Sequence, residues 1–404
     1  MSKKANSNQE KNYLESVTDK VGEIAMHYGF TIIKPPHVSN DDISKSKEFK
    51  DFDYYGDVEE KIALTRWYVD GRHDTEAQPI LVHYKKPLPG SSIRKKPNQE
   101  MYSFEIMGSV RPTSEALIIK CALAVLEELG YSDLYIDINS IGDRESVGKF
   151  EHELSAYYRK QAHTMPARLR QEFKKNHYSI LTETETSSEI EIFIQNAPQP
   201  ISSLSDISRL HFKEVLECIE AFDVAYKIKS NVLSNKLYAS YTVFEIRQLK
   251  DDVKATTEGE LLAYGYRYNH LAKKIGAKRE VPSMGATILI KKNTQTSKKI
   301  IIKNIKKPRF YLVQLGETAK LKALNVVEML RKHKIPVYHS ITKDKITGQL
   351  SGAEYMRASH VLIMGQKEAL ENSIVVRNVV SREQETIPLT KLVEFLKNLD
   401  KSPK

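Results

Sequence analysis

The sequence predicts a chain of mixed α and β structure that ends in a separate, smaller α/β domain, and three observations carry this. From Phe310 onward, short runs of β-branched and aromatic residues alternate with amphipathic segments: FYLVQL, a helix with Ala323, Val327 and Leu330 on one side, IPVYHS, a second helix, then HVLIMG. That order implies βαβ units around a parallel sheet, which SIVVRNVV and a closing helix complete. Just upstream, residues 291–308 (KKNTQTSKKIIIKNIKKP) hold seven lysines and no acid, which marks a self-repelling connection between units. Further back, a helix capped by Thr113 and running through Leu129 with Gly130 as its stop, the strand LYIDI at 134–138, the turn NSIGD and a helix capped by Asp143 form one helix–strand–turn–helix unit.

The remaining elements follow from the same signals. Residues 1–12 are a polar tail. Leu14, Val17, Val21, Ile24 and Tyr28 recur at helical spacing, with Gly29 placed to end the helix; FTIIK at 30–34 is a strand stopped by Pro35 and Pro36. Residues 37–100 give weaker signals: the aromatic patch FDYY at 52–55, a strand QPILVHY at 78–84 and the basic, proline-broken loop KKPLPGSSIRKKPNQ. Residues 160–205, with the threonine- and glutamate-rich LTETETSSE, read as an inserted subdomain. A helix with Phe212, Val215, Leu216 and Ile219 on one face follows. The stretch NKLYASYTVFEI at 235–246 reads as a strand, bounded at 237–246, and with another at 284–290 it flanks YGYRYNHLAKKIG, which reads as a turn running into a helix.

Composition excludes several function classes. No window approaches the roughly 18 apolar residues of a membrane helix, and MSKKANSNQEK lacks the apolar core of a signal peptide, so a cytoplasmic protein is expected. Cys121 and Cys218 sit in apolar helical patterns without a CxxC partner, which points to buried thiols rather than zinc or redox work. His163, His177, His211 and His270 show no HxxxH spacing, so no metal site is expected. The net charge of +10, from 62 basic against 52 acidic residues, suits a polyanionic partner.

Several segments resemble the histidyl-tRNA synthetase family, within class II of the aminoacyl-tRNA ligases. LYIDINSIGDRES at 134–146 is similar to the family's "INSLGD" strand and turn, SFEIMGSVRPTSEALII at 103–119 to its "GVEVFGS…P…ADAEVI" unit, and TVFEI at 242–246 to its "RTVFE". The block from YLVQLG through EQETIPL is similar to its anticodon-binding domain along its whole length. The resemblance covers most of the chain from about residue 100, and residues 10–100 only through HYGFTIIKPP. It implies an α+β class II synthetase-like catalytic domain at 13–290, built on an antiparallel sheet with a helical insertion at about 155–205. A basic linker at 291–308 and an anticodon-binding-like α/β domain at 309–404 would complete the chain, with a homodimer as the family's usual assembly.

Ligation requires cations held against the phosphates of ATP, and arginine is suited to this because its planar fork grips oxygens at two points and never loses its charge. The family supplies arginines from three places, and this chain departs from each. Its "RGLDYYNRTVFE" aligns with SNKLYASYTVFE at 234–245, which puts Ser234 on the leading arginine, Leu237 on the aspartate and Ala239 on the second tyrosine, while Tyr238 persists. Its "FRYE" loop aligns in either of two frames: anchoring on Tyr84 and Pro87 puts Gly90 and Ser92 at the arginine and acid, and anchoring on RKKP offers Arg94 with lysine for the acid. Its "GLER" becomes LIKK at 289–292, with Lys292 on the arginine and Leu289 on the glycine that admits the nucleotide.

Glu105 falls where the family reads the histidine imidazole, so Glu105 and Tyr238 are the histidine-pocket candidates, and a strand or dimer contact is the plainer role for Glu105. Arg94 and Lys292 are the phosphate-contact candidates. GYRYNHL at 265–271 is similar to "GGRYDGL" with Asn269 for the aspartate, and its tyrosines read as packing residues. Lys343, Lys345 and Arg357 lie on the segment that in the family faces the tRNA anticodon, where cations add affinity without reading sequence; a solvated helix start is the equally open alternative. The expectation is a non-ligating relative that binds tRNA or another RNA and needs no cofactor. The alternatives are an active ligase using ATP and Mg through Arg94 and Lys292, and a histidine-sensing regulatory subunit.

Overall fold

The computed structural model describes residues 17–52, 54–86, 99–163, 196–222, 224–249, 259–292, 300–301, 309–343 and 345–401, with a few isolated positions between 170 and 194. The tail at 1–12, the loop holding Gly90, Ser92 and Arg94, the middle of the insertion and most of the lysine-rich connection lie outside the described residues.

The body comprises β1 (Val17–Thr18), α1 (Lys20–His27), β2 (Thr31–Ile32), α2 (Asn40–Ser46), α3 (Val58–Asp70), β3 (Ile80–Lys85), β4 (Gln99–Met107), α4 (Thr113–Glu128), β5 (Leu134–Gly142) and α5 (Arg144–Lys160). After the insertion come α6 (Asp206–Glu220), β6 (Tyr226–Ile228), β7 (Ser240–Gln248), β8 (Glu260–Arg267), α7 (Leu271–Lys274) and β9 (Ser283–Lys291). Eight strands form one sheet in the order β2-β3-β4-β9-β8-β7-β5-β6. Its six central strands pair antiparallel, and the two edge pairs, β2–β3 and β5–β6, are parallel.

Side chains alternate between the two faces of a strand, so both faces must be covered when nearly every residue is buried, as in β4 and β9. Phe104, Ile106, Ile136, Ile138, Phe244 and Ile288 turn to one face, where α1, α4 and α6 supply Ile24, Leu117, Leu123, Phe212 and Val215. Met101, Val243, Tyr264, Tyr266 and Leu289 turn to the other, which is covered by Phe49, Tyr55, Val58, Ile62 and Tyr238.

Four local expectations need correction. Val17 and Thr18 form a strand against Ile300 and Ile301 rather than part of the first helix, which starts at Lys20 with Asp19 as its cap; Leu14 lies outside the described residues. Residues 235–239 are a turn rather than the start of a strand: Asn235 Oδ1 accepts the Leu237 N–H at 2.9 Å and the Asn235 carbonyl accepts that of Ala239 at 2.8 Å, so β7 begins at Ser240. YGYR is the end of β8 rather than a turn, because Tyr264 and Tyr266 alternate about Gly265, whose missing Cβ makes room for the Phe244 ring. Thr113 is the first residue of α4, with Pro112 at the cap position. Asp143 caps α5, its carboxylate accepting the Ser146 N–H at 2.9 Å.

Beyond β10 (Ile300–Ile301), the terminal unit contains β11 (Phe310–Gln314), α8 (Glu317–Lys332), β12 (Val337–His339), α9 (Ile346–Tyr355), β13 (His360–Met364), α10 (Gln366–Leu370), β14 (Ser373–Asn378), β15 (Gln384–Pro388) and α11 (Leu389–Lys401). Its sheet runs β12-β11-β13-β14-β15. β12, β11 and β13 are parallel, but β14 and β15 pair antiparallel as a hairpin, so the sheet is mixed.

The unit packs on the body through α8. Tyr28 donates to Glu328 at 2.6 Å; Arg331 holds Glu328 at 2.7 Å and reaches Glu128 at 3.2 Å, and Lys20 meets Glu128 at 3.1 Å. β1 pairs with β10 beside this junction, and one apolar cluster runs through both units. Among the described residues no helix is long and apolar enough to cross a membrane. Tyr28→Phe deletes a buried donor to a charged acceptor, so urea unfolding should show a loss of roughly 1.5–3 kcal/mol with the m value unchanged.

Candidate functional site

The site is built on the sheet face away from α4. Glu105, on β4, lies opposite Gly285 on β9, and a Cβ at Gly285 would run into both the Glu105 carboxylate and the Lys61 ammonium. Lys61 reaches in from α3, whose neighbours Ile62, Leu64, Thr65 and Tyr68 are also buried. Its Nζ sits 2.5 Å from Glu105 Oε1, which also accepts from Ser103 Oγ at 2.6 Å. Tyr268 donates to Oε2 at 2.7 Å. The same ammonium lies 4.8 Å from the centre of the Tyr268 ring and 5.4 Å from that of Tyr266. Burial first, and the Glu105 charge second, push the Tyr268 hydroxyl well above its ordinary pKa, so it keeps its proton and donates.

Two further charge networks share this face. Lys86 pairs with Glu60 at 2.7 Å and lies 3.8 Å from Asp57, which accepts from Tyr266 at 2.6 Å. Burial works against this ammonium, yet Tyr264, Glu60 and Asp57 hold it well above its ordinary pKa. Along β7 and β5, Arg247 holds Glu245 at 2.5 Å and lies 3.4 Å from Asp137, which Lys229 meets at 2.9 Å.

Aromatic rings close the face. Tyr55 lies flat on Tyr264, with centroids 4.2 Å apart and planes within 4°, and donates to Glu245 at 3.2 Å. Phe49 meets Tyr238 edge-on at 5.3 Å, and its carbonyl accepts from Asn235 Nδ2 at 3.0 Å. Leu289 is buried in the same apolar cluster.

Of the residues singled out from sequence, Glu105 and Tyr238 lie on this face and are linked only in steps: the Tyr238 ring is 6.2 Å from that of Tyr266, which lies under the Lys61 ammonium that meets Glu105. Ser234 is buried in the turn before β7. Lys292 is exposed just past β9, seven residues from Gly285 and so roughly 23 Å along an extended strand. Lys345 is exposed at the start of α9, close in sequence to the half-buried Lys343, whereas exposed Arg357 follows the other end of that ten-residue helix, roughly 15 Å away. Asn269 pins β9, its Oδ1 accepting the Ser283 N–H at 3.0 Å.

Sequence reasoning missed Lys61. Its one available signal was a lysine among the inward positions of VEEKIALTRWYVD, in a stretch where no helix was assigned. It also missed the clamp on the opposite face, where fully buried Arg267 grips Glu115 at 2.5 and 2.8 Å and donates to the carbonyls of Ser109 at 2.6 Å and Arg111 at 3.1 Å. His211 completes it, 2.7 Å from Glu115. Among the described residues no cluster of His, Cys, Asp and Glu is arranged to hold a metal ion.

Comparison with known proteins finds relatives of both parts of the chain. The model of the "Anticodon binding domain" matches residues 300–399. The histidine–tRNA ligase of Dehalococcoides mccartyi is 26% identical over 337 residues, covering 82% of this chain and 78% of that one. The histidine–tRNA ligase of Fervidobacterium nodosum is 25% identical over 414 residues, 96% of each. In fold, the chain is similar to apo histidyl-tRNA synthetase from S. aureus, with a TM-score of 0.52, 21% identity and 94% of both chains covered.

The clamp sets a pH dependence. Burial alone would raise the Glu115 carboxyl, but Arg267 and His211 overcome it and hold the pKa at about 2, against 4.5 for a free glutamate. A depressed carboxyl stabilises the fold above its unfolded pKa, and that stabilisation is lost as pH falls through the folded value. Urea unfolding should therefore show a loss of about 3 kcal/mol between roughly pH 5 and pH 2 that Glu115→Gln does not show.

Proposed function

We propose that this chain, which belongs to the histidyl-tRNA synthetase-like class II family, is a non-ligating member that binds tRNA or another RNA in a regulatory or accessory role. One observation carries the reading. The carboxylate that would recognise histidine, Glu105, is already saturated by the chain's own Lys61, on a face that Tyr55, Phe49 and Leu289 fill. Arg247, on that face, is engaged by Glu245 and Asp137, and Arg267 is turned to the other side. Losing one preorganised donor to a developing oxyanion costs on the order of 10²–10³ in rate, so several such losses end useful ligation. The terminal domain supports RNA binding through its match to the anticodon-binding model and its exposed Lys345 and Arg357. A cytoplasmic homodimer working without ATP or Mg belongs to the same proposal.

The relatives' names favour a second reading, an active histidine–tRNA ligase. It would need Lys292 at the phosphates, and the distance of Lys292 from Glu105 weighs against it. The closed Glu105 pocket likewise weighs against a histidine sensor.

Filter binding of tRNA between about 50 and about 200 mM salt should show affinity falling steeply, and Lys345→Ala or Arg357→Ala should each reduce the logarithmic salt slope by about 1. Histidine-dependent ATP–pyrophosphate exchange should stay at background. Robust exchange, or RNA affinity indifferent to salt, would defeat the reading.

A further inference from the structure

We infer that the Glu105 pocket is a built binding site for a small protonated amine, and that Lys61 is its tethered occupant. The inference deepens the reading of this face as closed to substrate, and rests on it. Groups from three strands surround one ammonium: the carboxylate of Glu105 on β4, the rings of Tyr266 on β8 and Tyr268 just past it, and the recess left by Gly285 on β9. Ser103 and Tyr268 each donate to a different carboxylate oxygen, so the acid is oriented independently of the lysine. The two rings then present their faces to the cation, the arrangement that favours a desolvated organic ammonium over a hydrated metal ion. A buried ion pair serving stability alone requires neither the ring cage nor a glycine that clears its space.

Tethering explains why the pocket stays filled. An intramolecular occupant is presented at roughly millimolar effective concentration or above and has already lost most of the freedom that binding costs. Lys61 is fixed by α3, whose Val58, Ile62 and Leu64 are in the core, so a free amine meets a closed site.

The test is chemical rescue. Lys61→Ala removes the equivalent of n-propylammonium, so n-propylammonium should raise the melting temperature of the variant with the logarithm of its concentration. n-Propanol should not, the unmutated protein should not respond, and Lys61→Ala combined with Glu105→Gln should lose the response. An equal response to amine and alcohol, or equal responses in variant and unmutated protein, would overturn the inference. Should Lys61→Ala fail to fold, lysine-selective nitrogen-15 NMR of the unmutated protein decides: Lys61 should show slowed ammonium exchange and side-chain protons shifted upfield by the two rings, and exchange at the rate of surface lysines would overturn it. Histidine-dependent pyrophosphate exchange by the intact protein would sink the non-ligating reading instead, so the two failures are distinguishable.

Discussion

A carboxylate with no contact with water must be answered from inside the protein, and the answer given to Glu105 organises one whole side of the molecule. Moving a charge out of water costs several kcal/mol even after relaxation, so a buried Glu persists only with a partner in place. Lys61 is that partner, and α3, which carries it, lies across the sheet face that the resemblance assigns to substrate. The same rule governs Lys86 with Glu60 and Asp57, and Arg247 with Glu245 and Asp137. Each group answers its neighbours' charges within the chain. The face is charged throughout and yet has little left to offer a ligand.

The opposite face obeys a different constraint. There α1, α4 and α6 cover an apolar sheet surface, and the fully buried Arg267 is locked to Glu115, which His211 also meets, while fixing the backbone at Ser109 and Arg111. This cluster continues into the terminal domain through α8, where Tyr28, Glu328 and Arg331 form a second buried polar group. Because α1 belongs to both the body and the junction, the terminal domain is held on the body rather than hung from a self-repelling linker. The lysines of 291–308 gave no hint of this, since the contacts are made by residues hundreds of positions apart in the chain.

Much of the fold was legible because periodicity reports burial directly. The alternation after Phe310, the helix from Thr113 and the Asp143 cap all follow from local spacing and local hydrogen bonds. The misreadings arose where a tertiary partner decides. Asn235 bonds its own turn and the Phe49 carbonyl, which pulls NKLYA out of the strand that its aromatic composition favours. Tyr264 and Tyr266 looked like turn residues beside Gly265, but the glycine is required by a ring on the neighbouring strand. For the site, Glu105 was visible by its place in a matched segment. Lys61 was not, because a lysine at one inward helix position resembles an ordinary exposed one until its partner, 44 residues on, is known.

On the proposed non-ligating reading, the two faces together explain how the fold could persist while the site changed. The apolar helix side and the polar site side are separate clusters divided by the sheet, so substitutions on one need not be answered on the other. Within the site side, however, changes must come in matched sets, because removing one member of a buried pair costs about 3–5 kcal/mol while exchanging both can be nearly neutral. A retained glutamate is therefore weak testimony to retained substrate binding. What decides its role is the group that meets it, and here that group is an ammonium from the same chain, caged by two tyrosine rings.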